Sequence, residues 1–266
     1  MSALAALTAV MSSHALVSVL DQASPLKLFL EKATIGLLLL QLILVLSAGM
    51  MGEAKKESKE GADAMPTADQ VELLIRSRRS VFPKDYNGEA PPKELVARML
   101  NAANWAPTHG KTEPWRFVVM SGEAVARFNA AVFEAQKAVM GGGSEAFKKW
   151  QAKQERKAKD KAKVAFLVAI GMKRKAHPEK IMPEWEELAA TSCAVQNLHL
   201  MATSLGVAGY WSSGGPLEDD MVKAFLGLEK EDKWLGLFHL GMASKETVAA
   251  YRSKRGPLDE KVNWLE

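Results

Sequence analysis

A helix that is apolar on most of its faces cannot stand alone at a surface, and residues Trp185 to Leu205 read as such a helix. Gly206 follows at the position where a left-handed residue commonly ends a helix. The segment has to be covered by something large, and a second copy of the chain would suffice. Cys193 and His199 lie within it and read as packing and structural residues.

Around that helix, helical and extended patterns alternate. Thr67 is placed to cap a helix running through Val71, Leu74 and Ile75 to about Arg78. Pro91–Pro92 opens a second, with Leu95, Met99 and Ala102 on one face. Trp115 to Met120 is a short apolar run between Pro114 and Gly122, hence a strand. A helix follows from Gly122 to about Val139. Gly141–Gly143 interrupts it, and a basic helix continues to about Asp160. Val164 to Ile170 is the most buried-looking strand, Val207–Trp211 another, and Trp234 to Met242 the last clear one. Pro216 is expected to start a helix, and the tail beyond Lys245 is polar. The pattern reads as a single α+β or α/β domain with four or five strands.

The first 52 residues differ from the rest. Ala33 to Met51 runs for 19 residues without a charge, which as a helix would span about 28 Å, near the thickness of a bilayer core. Three readings fit: a single membrane anchor, a cleaved targeting segment leading to an organelle lumen or stroma, or a buried helix. The lysines flanking the run are too evenly balanced to set an orientation. Residues 53–66 are charged, rich in small side chains and aperiodic, which makes them a linker to a domain at 67–266.

Composition removes several classes of function. A net charge of +4 is too slight to imply a polyanionic partner. A single cysteine excludes an intrachain disulfide framework and a Cys-rich metal site, and the five histidines lack metal-ligand spacing. Lys148–Lys163 carries eight basic residues against Glu155 and Asp160. Nucleic-acid binding would call for aromatic interleaving, and only Trp150 qualifies, so a solvated helix is the expected reading.

Three separated segments have the composition of a phosphate-and-ring site. Arg76–Ser80 (RSRRS) lies at a helix end, and its last three residues place two guanidinium forks and a hydroxyl together, a combination suited to a phosphate. Ala106–Trp115 (APTHGKTEPW) is a rigid polar loop between helix and strand, of the kind that lines sites. Tyr210–Pro216 (YWSSGGP) ends a strand in hydroxyls and glycines, where backbone can approach a ligand closely. It is not GxGxxG, so it does not signal a dinucleotide-binding doubly wound fold.

Taken in order, RRS, A-P-T-H-x-x-x-E-P-W-R-F, SLGVAGYWSSGG and KRGPLDE resemble the flavin-dependent nitroreductase superfamily, over about Asp69 to Trp264. The loop with His109 and the WSSG segment resemble the minimal bacterial nitroreductases. The HGKTEPW stretch, the SKET segment and the KRGPLD tail are also similar to the iodotyrosine deiodinases, which carry an N-terminal membrane anchor and linker. The resemblance implies an α+β fold with a mixed central sheet flanked by helices, in a homodimer that binds FMN at its interface. It implies that Arg78, Arg79 and Ser80 hold the phosphate and ribityl chain. Thr108 and His109 would reach the flavin, typically from the partner subunit. Trp211, Ser212 and Ser213 would flank the ring, with a serine near N5 or O4, and Arg255 would return to the phosphate. NADH or NADPH would supply hydride, and a nitroaromatic or quinone-like acceptor would take electrons in ping-pong fashion. No side chain is required as a nucleophile. The basic helix corresponds to a mobile lid, with Gly141–Gly143 as its hinge.

Two features depart from the pattern. Many members place a second cation near flavin N1/O2, where this chain has Phe82, with Lys84 the nearest substitute. The deiodinases grip their substrate with a glutamate, a tyrosine and a lysine of the lid, but no tyrosine lies between Tyr86 and Tyr210 here, although Glu145 and several lysines do. A reductive dehalogenase and a non-catalytic membrane-tethered accessory subunit are therefore the alternatives to a flavin reductase.

Overall fold

A computed structural model of the chain describes residues 65–266 apart from 178, 214, 217 and 218. The charge-free stretch at 33–51 and all but the last two residues of the 53–66 linker lie outside the described residues. Thr67 to Glu266 forms one unit. Among the described residues no helix is long and apolar enough to cross a membrane.

Helix α1 (Ala68–Ser77) begins as the sequence predicts. The Thr67 hydroxyl accepts from Gln70 N at 3.3 Å, and the Gln70 side chain accepts from Thr67 N at 2.9 Å. This reciprocal pair satisfies two amides that the first turn leaves without carbonyl partners. Helix α2 (Lys93–Ala103) starts after Pro92 and buries Val96, Met99 and Ala103. The seam is thus centred on Met99 as expected, but its other members are one residue later than Leu95 and Ala102.

Four strands follow the predicted runs closely: β1 (Trp115–Met120), β2 (Phe166–Met172), β3 (Ala208–Ser212) and β4 (Lys233–Gly241). Their spatial order is β1-β2-β4-β3, and every neighbouring pair is antiparallel, with Phe117 opposite Ile170, Val168 opposite Phe238 and Tyr210 opposite His239. The fold is α+β, as expected. The sheet of the described residues is antiparallel throughout rather than mixed. Strand direction is set by how helices carry the chain between sheet ends, and a residue pattern holds no record of it.

The pleat divides the core in two. Phe166, Val168, Ile170, Phe238 and Leu240 face helix α5 (Glu184–Ser204) and pack with its Ala194, Val195, Leu198 and Ala202 and with Met99 of α2. Leu167, Ala169 and Leu237 face the opposite side and pack with Phe128 of α3 (Glu123–Met140), Val222 of α6 (Asp220–Phe225) and Trp234. Strand β2 is buried at all of its residues, as its unbroken apolar run requires.

Helix α3 stops at Gly141, whose φ of 74° suits a residue without a Cβ, and α4 (Glu145–Lys161) restarts behind the Ser144 cap. Helix α6 corrects a sequence expectation. It starts at Asp220 rather than at Pro216, because the Asp219 carboxylate accepts the amides of Met221 and Val222, each at 3.0 Å. The polar tail contains a further short helix, α7 (Lys245–Ala250), capped by Ser244.

One face of α5 is covered by the sheet and α2, and the other is bare in the single chain. Trp185 is 69% exposed and Leu188 42%. Cys193 is exposed on this helix too, so it is not the packing residue its neighbours imply.

Candidate functional site

The arginine pair occupies the point where α1 ends. Beyond Ser77 the backbone turns extended, with Arg78 at φ −60°, ψ 127°, and Val81 N donates to Gly209 O at 3.0 Å, which lays this segment along β3. Arg79 is tied down by its own guanidinium. Its Nε donates to Tyr251 O at 3.1 Å, and a terminal nitrogen donates to Arg78 O at 2.9 Å and Arg76 O at 2.5 Å. A terminal nitrogen of Arg78 lies 3.5 Å from His199 Nδ1, while His199 Nε2 meets Arg79 O at 2.9 Å.

Burial lowers the pKa of Arg78 below the usual guanidinium value, and the charges of Arg255 and Arg79 lower it further. The charge of Arg255 in the tail thus acts on Arg78, although it lies 176 positions after Arg79 in the chain (255 minus 79). Among the described residues none of the three arginines forms an ion pair. Guanidinium forks without a carboxylate partner suit phosphate oxygens. Ser80 stands half-buried beside them.

The second segment lies at the other end of β3. Trp211 points to the α5 side of the sheet and its indole nitrogen donates to Leu235 O at 3.1 Å. Ser212 points the opposite way, its hydroxyl 3.0 Å from His239 Nε2. Ser212 and Ser213 line a cavity of about 640 Å³ under α4, together with Phe82, Lys84, Tyr210 and His239. Phe82 is held by its amide, which donates to the Tyr251 hydroxyl at 3.0 Å, and that hydroxyl donates to Asp85 at 2.5 Å. Its ring packs on Tyr210 with centroids 4.6 Å apart. Lys84 lines the same cavity as the serines, and its ammonium lies 3.9 Å from Asp85.

The third segment stays apart from that cavity within one chain. Thr108 braces its own loop, with its hydroxyl 3.1 Å from that of Thr112 and 3.3 Å from Glu113 N. His109 Nδ1 meets Glu186 at the start of α5 at 2.5 Å. Lys111 and Glu113 adopt φ of 57° and 44°, a left-handed backbone unusual for residues with a Cβ. The structure thus sets Arg78 and Arg79 within reach of the Arg255 charge, places Ser212 and Ser213 on the cavity, and leaves Thr108 and His109 beside the bare face of α5.

Sequence reasoning singled out His109 and passed over His239. His239 sits on β4 directly opposite Tyr210, and the two rings stack at 5.6 Å. Burial, then the charges of Lys161 and Lys157, push its pKa down to about 4, so it is neutral near pH 7. Its Nδ1 is buried without a hydrogen-bond partner. Nothing local in WLGLFHLGM marks this histidine, because its partner is 27 residues away.

An antiparallel sheet between a long core-facing helix and a helical cover, with an arginine pair beside one strand edge, defines a nitroreductase-type α+β protein. The chain belongs to the nitroreductase family, whose family model matches residues 75–242. YdjA of Escherichia coli K12, named as a candidate NAD(P)H nitroreductase, is 32% identical over 176 residues, spanning 65% of this chain and 87% of that protein. YfhC of Bacillus subtilis strain 168, named likewise, is 27% identical over 205 residues, spanning 74% and 98%. The crystal structure of a nitroreductase-like family protein from Bacillus cereus superposes with a TM-score of 0.62 at 26% identity, covering 76% of this chain and all of that one. The fold also matches the FMN-dependent nitroreductase NfnB from Mycobacterium smegmatis, solved with NADPH, at a TM-score of 0.56 and 21% identity over 75% of this chain and 99% of that one.

Proposed function

We propose that this chain is an NAD(P)H-dependent FMN oxidoreductase that works as a homodimer and reduces small organic acceptors, nitroaromatic or quinone-like, by a ping-pong route. The observation that carries the reading is the convergence of Arg78, Arg79 and Arg255 without a carboxylate partner. Family membership and the names of the relatives support it.

The residues fit FMN. The three guanidiniums hold its phosphate, and Ser80 faces the ribityl chain. Ser212 and Ser213 offer hydroxyls at the ring, where His239 is able to orient Ser212. FMN, when bound, supplies electron transfer between NAD(P)H and the acceptor. The protein positions both reactants and sets the charge around them.

Dimer formation would cover the bare face of α5. Trp105 is 82% exposed, Leu73 67% and Ile75 52%, and with Trp185 and Leu188 they leave more apolar surface than a monomer comfortably shows to water. Thr108 and His109 border that face and would approach the partner's flavin.

The visible spectrum of the purified chain after FMN addition is the direct test. A yellow protein that NADH or NADPH bleaches without oxygen is expected, and a colourless protein would sink the reading. The charge-free run at 33–51 adds the proposal of a single N-terminal anchor to this domain. Sequencing the mature N-terminus and extracting membranes with alkali would test it, because a cleaved or readily extracted protein removes the anchor.

A further inference from the structure

The tail of the chain is fastened at one residue. From Arg252 to Glu266 every residue is exposed, and Tyr251, directly after α7, is the last that is not. Its ring packs with Val248 of α7 against the small cluster of Val81, Tyr86 and Ala208. Three hydrogen bonds then tie it to the segment that follows α1. The carbonyl oxygen of Tyr251 accepts from Arg79 Nε at 3.1 Å. Its hydroxyl accepts from Phe82 N at 3.0 Å and donates to Asp85 at 2.5 Å. Burial, then the bond to Asp85, raise the pKa of this hydroxyl above the ordinary phenol value, so near neutral pH it keeps the proton it donates.

The sheet holds the same segment at other points. Val81 N donates to Gly209 O at 3.0 Å, the Tyr86 hydroxyl to His239 O at 3.0 Å, and Asn87 N to Met242 O at 2.9 Å. Tyr251 adds a hold from the tail, at the arginine and at the turn. A guanidinium whose Nε is committed to a fixed carbonyl loses much of its rotamer freedom, so the Arg79 fork is set by where Tyr251 lies. Arg255 follows four residues after Tyr251 (255 minus 251), a reach of at most about 14 Å. The Arg255 guanidinium donates to Ser253 Oγ at 2.5 Å and Lys254 O at 2.9 Å, both within the tail. What keeps its charge acting on Arg78 is therefore the anchorage at Tyr251.

We propose that Tyr251 is a positioning residue for the cofactor phosphate, orienting Arg79 through its carbonyl and keeping Arg255 within reach of Arg78 by fastening the tail. The inference rests on the flavin reading above and adds to it a residue that acts through the two arginines. The hydroxyl matters because it fixes the residue whose carbonyl and tail do the positioning.

Fluorescence titration of the flavin-free full chain with FMN and with riboflavin, which lacks the phosphate, tests the proposal. The wild type is expected to prefer FMN, and Tyr251→Phe to narrow that preference about tenfold, as the loss of two hydrogen bonds loosens both arginines. A general loosening of the fold would weaken both flavins alike and leave their ratio unchanged. Asp85→Ala removes the acceptor of the same hydroxyl and should narrow the preference in the same way. The double variant should narrow it no further, because both changes act on one contact. Asp85→Asn keeps an acceptor and should restore most of the preference. Equal affinity of the wild type for the two flavins, an unchanged ratio in Tyr251→Phe, or additive losses in the double variant overturn the proposal and leave the flavin reading standing. A wild-type chain that binds neither flavin removes the flavin reading and this inference with it.

Discussion

His199, in the middle of α5, donates its Nε2 proton to the carbonyl oxygen of Arg79 at 2.9 Å. A carbonyl can only accept, so the proton is on Nε2 and the bare Nδ1 faces the guanidinium of Arg78 at 3.5 Å. Burial, then Arg78, hold the imidazole down to about 4, and its ring meets Phe238 edge-on at 4.9 Å. The core helix thus fixes the backbone from which Arg78 and Arg79 project.

Replacing His199 with Phe keeps the volume and removes both contacts. The expected cost is about 1–3 kcal/mol, the range for leaving a buried carbonyl unpaired. Flavin retention would fall with it as the arginine segment loosens. His199→Gln, which can still donate and accept, should recover part of both. Denaturant midpoints and the flavin-to-protein absorbance ratio give the answer, and a Phe variant equal to wild type in both would refute the role.

Acid sensitivity follows from two buried histidines. His199 and His239 each have a folded pKa near 4 against 6.5 in an open chain. Between those values the unfolded chain binds more protons, so stability is full above about pH 6.5 and is lost as pH falls towards 4. Each histidine accounts for at most roughly 3 kcal/mol of that loss, given 1.36 kcal/mol per pK unit. Urea unfolding at pH 7, 6, 5 and 4.5 should trace the decline, and His239→Gln should make it shallower. An unchanged slope in that variant would exclude His239 as a source.

Gly236 allows β4 to pass the serine segment. Its φ is 114°, and an added Cβ would lie 2.2 Å from Ser212 O and 3.0 Å from Ser213 Cα. Both the backbone angle and the clash with main chain resist substitution. Gly236→Ala should cost more than about 3 kcal/mol, at the severe end for a single methyl group. Loss of soluble expression or a large fall in melting temperature is the expected result, and a near-native melting temperature would show that the serine turn can shift.

The bare face of α5 predicts the oligomeric state. The purified domain should sediment as a dimer, and Leu188→Arg should shift it to a monomer by placing a cation where a partner helix would pack. The same variant should lose FMN if the partner's loop completes the site. Leu188→Arg still sedimenting as a dimer would move the interface elsewhere.

Local chemistry determined much of this protein. The Thr67 cap, the presence of the four strands, the fully buried β2 and the glycine stops after α3 and α5 all follow from side-chain periodicity and backbone preference, interactions that reach only a few residues. The arginine pair was legible for the same reason, because Arg78 and Arg79 are adjacent in the chain. Only the tertiary structure decided what depends on closing long loops. It set the antiparallel order of the sheet, brought the charge of Arg255 to bear on Arg78, and joined Ser212 to His239 across 27 residues. The lysines of the basic helix stay exposed, as a solvated helix requires, and Lys153, Lys157 and Lys161 share a cavity with Lys84 only because α4 folds over the turn after α1. A pattern with a period of two or 3.6 shows which face of an element is buried, but the neighbour that buries it is chosen by the packing of the whole domain.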